Sequence, residues 1–109
     1  MEDRPKVARL RFTAAQARQR INALAERTDN LIWTDHVRDR MLGRGITTDD
    51  VLRVLRTGYV DEDPIETERG DWKCKITKSV RGSRDIGVVT VIWQATRLVL
   101  ITAEWEDLA

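Results

Sequence analysis

The chain has 109 residues, 41% of them hydrophobic and 34% charged, with a net charge of +1. That length suits one domain, and the apolar fraction lies far from the disordered range. A single cysteine, Cys74, excludes an internal disulfide and fits a reducing cytoplasm.

Residues 1–12 are charged, follow no clear period and read as a flexible tail without a secretory signal. Thr13-x-x-Gln16 is a capping box opening a first helix, with Ala14, Ala17, Ile21, Leu24 and Ala25 at helical spacing and an end near Thr28. Leu31-Ile32-Trp33 is a short apolar run before a second start. Thr34 is the expected N-cap, helix two runs to about Gly43 with Val37 and Met41 inward, and Gly45 suits a left-handed C-terminal cap. Thr47 and Asp50 cap helix three, whose inner face is Val51, Leu52, Val54 and Leu55 and whose end is Gly58.

The remainder reads as sheet. Tyr59-Val60 is a candidate edge strand, and Asp61 to Gly70 an acidic loop. Trp72, Cys74 and Ile76 alternate with Lys73, Lys75 and Thr77, as in a strand with one wet face. A basic turn surrounds Gly82. Gly87 to Trp93 is apolar and β-branched, as a central strand should be, and Leu98 to Trp105 is a further strong strand. The connections are too short for crossover helices, so these strands should form an antiparallel meander. The expected fold is α+β: about three N-terminal helices on one face of an antiparallel sheet of three to four strands, forming a single domain over 13–109. No run is long enough to span a membrane.

The only histidine, His36, stands at i with Arg40 at i+4 and Arg44 at i+8, so one helix face stacks an imidazole under two guanidiniums. At a helix N-terminus the dipole favours a neutral imidazole, the form a general base requires. Two arginine forks suit a phosphodiester or its pentacoordinate transition state. Glu104 would supply a second acid or base if it faces His36. The plain alternatives are a surface histidine held by Asp35 or Asp39, and arginines that are solvated or paired with Asp61, Glu62 and Asp63. Lys73, Lys75 and Lys78, with Arg81 and Arg84, form a second basic group; Lys73, Lys75, Arg81 and Arg84 would track a nucleic-acid backbone, or the group simply keeps an exposed face soluble. Trp33, Trp72 and Trp93 read as core. One histidine and one cysteine give no metal-ligand spacing, and no cofactor is expected.

The charges are unevenly spread. From Arg4 to Arg56 there are twelve basic residues against six acidic ones, and from Thr57 to Gly70 five acids against one base. A basic helical half favours an anionic partner, although a solvated surface is the commoner cause.

His36-x-x-x-Arg40-Met41-x-x-Arg44-Gly45-Ile46, followed by Asp49-Asp50-Val51 and a strand-rich half, resembles the bacterial domain of unknown function 4258 family over about residues 32–102. The resemblance implies short helices before a sheet and a distant likeness to ribonuclease toxins of the RelE and barnase kind. On that likeness His36 would be the acid or base, Arg40 and Arg44 would bind phosphate, and RNA and a small antitoxin or other protein would be the partners. A non-catalytic binding module, with a structural His/Arg helix, is the competing reading.

Overall fold

A computed structural model describes residues 12–107; of the expected tail, residues 1–11 lie outside them. Among the described residues the chain forms α1 (Ala14–Leu24), β1 (Leu31–Trp33), α2 (Asp35–Arg44), α3 (Thr48–Thr57), β2 (Ile65–Glu66), β3 (Trp72–Arg81), β4 (Arg84–Trp93) and β5 (Arg97–Trp105). The architecture is α+β.

Each helix starts where its side chains satisfy the otherwise unpaired N–H groups of the first turn. Thr13 and Gln16 close a capping box on α1, and Thr47 and Asp50 close another on α3. The Thr34 hydroxyl accepts from the Val37 N–H at the start of α2. Gly45 ends α2 at φ 68°, a conformation that costs glycine little. The first helix stops at Leu24, earlier than expected, and a 3-10 turn at Thr28–Asn30 carries the chain into β1. Asn30 secures this exit by donating its side-chain amide to the Leu24 carbonyl.

The sheet has five strands in the order β1-β5-β4-β3-β2. It is larger than the expected three to four strands, and it is mixed rather than antiparallel, because β1 pairs parallel to β5. The meander β3-β4-β5 forms as expected, with β4 central. Leu31-Ile32-Trp33 is too short to announce itself as a strand, and its partner lies more than 60 residues away. Tyr59 makes a single bridge to Thr77 instead of an edge strand, and the acidic loop contains the two-residue β2. The β3–β4 turn has Gly82 at φ 51° and Ser83 at φ 71°, the two positive angles of a tight hairpin matched to strand twist.

One continuous core joins Ala17 and Ile21 of α1, Val37 and Met41 of α2, and Val51, Val54 and Leu55 of α3 to Ile76, Val88, Ile92, Leu98 and Leu100 of the sheet. Residues of this size each contribute roughly 1.5–3 kcal/mol when fully buried. The buried strand residues fall on one face by register: Ile76 opposite Val88, Ile92 opposite Leu98, and Val88 opposite Ala103. The one fully buried polar side chain among them, Thr90, donates its hydroxyl to the Val99 carbonyl. Phe12 meets Trp72 edge to face, with ring centroids 5.7 Å apart. Trp33 and Trp72 pack against the core as expected. Trp93 does not: it follows the inward Ile92 and lies on the opposite sheet face.

A bulge in β5 matters most for the site. Thr90 pairs with Leu100 but Val89 pairs with Thr102, so Ile101 is an extra residue. Simple alternation from Leu98 and Leu100 would turn Thr102 and Glu104 inward. The extra residue resets the alternation, so Ala103 and Trp105 face α2 and Glu104 faces away from it.

Gly58 tests how tightly α3 meets β3. A Cβ added there would lie 2.4 Å from the Val54 carbonyl oxygen and 2.6 Å from that of Thr77, and neither backbone atom can yield cheaply. Gly58→Ala is expected to cost about 2 kcal/mol or more, a fall in Tm of roughly 10 °C for a domain of this size. Gly43, inside α2, has nothing within 4 Å of such a Cβ. Gly43→Ala is therefore expected to add about 0.5–1 kcal/mol. Thermal melts of the two variants beside the parent check both signs.

Candidate functional site on helix α2

Three contacts lay α2 along β5. At its start the Thr34 hydroxyl donates to the Leu100 carbonyl at 2.7 Å. At its end the Arg44 guanidinium donates through Nη1 to the Ala103 carbonyl at 2.7 Å, and the Trp105 indole N–H returns a 2.7 Å bond to the Arg44 carbonyl. The second and third bonds form a reciprocal clasp between the last turn of α2 and the last residues of β5. They also satisfy a terminal helix carbonyl and the indole donor.

The clasp divides the His36, Arg40 and Arg44 row. His36 and Arg40 are exposed, and Arg40 Nε donates to His36 Nε2 at 3.3 Å. Arg44 is half-buried, with its fork turned onto the strand. Neither Asp35 nor Asp39 holds the imidazole among the described residues. Arg38 stands 5.7 Å above the Trp33 ring.

Glu104 is not brought to His36. It lies across the sheet, 3.3 Å from the Lys75 ammonium. Lys75 also binds Glu106 at 2.9 Å, and the Glu106 hydrogen bond is the main reason its pKa is raised. Lys73, Lys75, Glu104 and Glu106 line a cavity of about 580 Å³ with Asp61, Glu62 and Asp63. Carboxylates outnumber ammonium groups there, which opposes a phosphate backbone.

The other two residues of the expected nucleic-acid group are also committed to carboxylates. Arg81 binds Asp50 at 2.7 Å. Arg84 makes two hydrogen bonds to Asp107, at 3.0 and 3.2 Å, while its guanidinium sits 4.0 Å over the Trp105 ring. These arginines brace the β3–β4 hairpin against α3 and the end of β5. Cys74 is buried, and burial pushes its thiol up to about 11, so it is no nucleophile. Among the described residues no group of histidine, cysteine and carboxylate side chains could hold a metal ion. No described helix is long and apolar enough to cross a membrane.

The sequence matches a known family. A family model described as Domain of unknown function (DUF4258) matches residues 33–105, and the chain belongs to that family. The match begins at Trp33, takes in α2 with its clasp to β5, and ends at Trp105. Neither a curated protein nor a solved structure matches the chain.

Two outcomes test this geometry. Arg44→Ala is expected to cost about 1–3 kcal/mol and Trp105→Phe about 1 kcal/mol. Because both act on one clasp, the double variant should lose less than the sum by about 0.5 kcal/mol or more, read from urea denaturation.

Asp50 gives the pH test. Partial burial would raise its carboxyl, but hydrogen bonds from the Thr47 backbone, the Arg81 guanidinium and the Thr47 hydroxyl outweigh this and hold it below its ordinary 3.8. A depressed carboxyl stabilises the fold above its unfolded pKa, and the effect disappears as pH falls through the folded value. Asp50→Asn should therefore destabilise at pH 7, and its melting curve should converge on the parent's as pH falls through the depressed folded-state pKa of Asp50.

Proposed function

We propose that this protein is a binding module that contacts RNA phosphates through the exposed His36 and Arg40 side chains, and that it is not a ribonuclease. The observation that carries the reading is the fate of the four groups from which an active centre would be built. The half-buried Arg44 guanidinium is turned onto the strand, where Nη1 donates to the Ala103 carbonyl, and Glu104 is paired with Lys75 across the sheet. The His36 Nε2 lone pair already accepts from Arg40. General acid–base cleavage of RNA needs a proton acceptor and a proton donor on opposite sides of the phosphate, and among the described residues no carboxylate is hydrogen-bonded to His36. What persists is an exposed guanidinium beside an imidazole, a pair suited to holding a phosphate.

A metal-independent endoribonuclease, distantly like the RelE and barnase toxins and with a small antitoxin as partner, is the second reading. It is favoured by the exposure of His36 one turn from Arg40. Fluorescence anisotropy with labelled single-stranded RNA separates the two, with a denaturing gel run on the same samples. The binding reading expects intact RNA and an affinity that falls steeply with salt. It also expects Arg40→Gln to lower the salt slope by about 0.7, the share of one phosphate contact on a single strand. Cleavage that disappears in His36→Ala would establish the enzyme instead. An affinity unchanged by His36→Ala and Arg40→Gln together would refute any role for this face.

A further inference from the structure

Which cations lack a carboxylate partner is decided in the folded protein, and four of them gather away from the sequence motif. Tyr59 is half exposed at the bridge between the end of α3 and β3. The Arg18 guanidinium lies 4.1 Å from its ring centroid, and the Lys78 ammonium 5.6 Å. Lys78 also lines a surface groove of about 660 Å³ between α3 and β3, together with Arg53, Arg56 and Thr57. Arg18 and Arg56 donate through Nε to the carbonyls of Gly58 and Ala25, which position the guanidiniums without cancelling their charge. Arg53 and Lys78 are in no ion pair among the described residues. Asp49 and Asp50 also line the groove, but Asp50 is already balanced by Arg81. The result is a run of four cations in no ion pair among the described residues, Arg18–Lys78–Arg56–Arg53, and Asp49 is the carboxylate of the groove lining left to oppose them.

We infer that the groove between α3 and β3, continued over Tyr59 to Arg18, is a binding track for the phosphate backbone of single-stranded nucleic acid. The chemistry is that of a positively charged groove with an aromatic ring on its rim, which follows a flexible backbone and does not read base edges. Of the expected basic group the track takes only Lys78. Lys75, Arg81 and Arg84 carry the same formal charge, but each would have to give up a carboxylate before meeting a phosphate. The inference shares its class of ligand with the α2 reading and none of its residues, so either can fail alone.

The test is binding of a fluorescein-labelled oligouridine decamer to the full chain at about 50 mM salt, repeated across a salt series. The variant Arg53→Gln with Lys78→Gln spares the positioned Arg18 and Arg56, and a thermal melt within a few degrees of the parent confirms its fold. It is expected to weaken binding roughly tenfold and to lower the salt slope by about 1.4, the share of two single-strand phosphate contacts. Lys73→Gln, which removes a charge from the acid-walled cavity, should stay within twofold. Affinity in Arg53→Gln/Lys78→Gln within twofold of the parent would overturn the track, and a simultaneous loss in His36→Ala/Arg40→Gln would assign RNA to α2 alone. Loss in the groove variant with none in the α2 variant would uphold the track and remove the α2 reading. No binding of the decamer to the parent would overturn both, and an equal affinity for a polyglutamate decamer would overturn nucleic acid as the occupant.

Discussion

The exchange of hydrogen bonds between Arg44 and the Ala103–Trp105 segment is the contact on which the rest of this structure depends. It fixes the last turn of α2 against β5, while the Thr34 hydroxyl fixes the first turn on the Leu100 carbonyl. Held at both ends, α2 presses Val37 and Met41 into the shared core and leaves His36 and Arg40 outside. The same bonds turn the half-buried Arg44 guanidinium onto the strand. Helix placement and the composition of the exposed face are thus one decision, made by a guanidinium that reads as a ligand-binding group until its partner is known.

The bulge at Ile101 is the complementary device on the strand. Without an extra residue, the alternation begun by Leu98 and Leu100 would carry Glu104 to the helix side and Trp105 away from it. With it, Trp105 meets the Arg44 carbonyl and Glu104 joins Lys75 on the open face. One inserted residue therefore builds the clasp and dismantles the candidate acid–base pair in the same stroke.

Electrostatics follow from this framework more than from composition. Counting basic residues along the chain marks Lys73, Lys75, Lys78, Arg81 and Arg84 as a group, yet the fold gives Lys75, Arg81 and Arg84 to Glu104, Glu106, Asp50 and Asp107. Exposed ion pairs of this kind add little stability each. Their larger effect is subtractive, since a neutralised cation attracts a phosphate poorly. Arg18, Arg53, Arg56 and Lys78, by contrast, have no carboxylate partner among the described residues. These come from α1, α3 and β3, and only packing makes them neighbours.

Local physics was legible in the amino-acid order alone. The threonine caps, the glycine stop of α2, the α3 capping box and the alternation of β3 all depend on residues within a few positions of one another. Each is stated by the side chains that make it. The family was legible for the same reason, because its motif is carried by one helix and the turn that follows. What required the tertiary structure were the features whose two halves are far apart in the chain. β1 is a strand because β5 lies beside it, Trp93 is outward because of the register of β4, and Arg44 turns onto β5 because the Ala103 carbonyl comes within 2.7 Å. Sequence periodicity records which face a residue shares with its near neighbours. It contains no term for the distant carbonyl or carboxylate that will claim a charged side chain, and on this protein that term separates a ligand site from a brace.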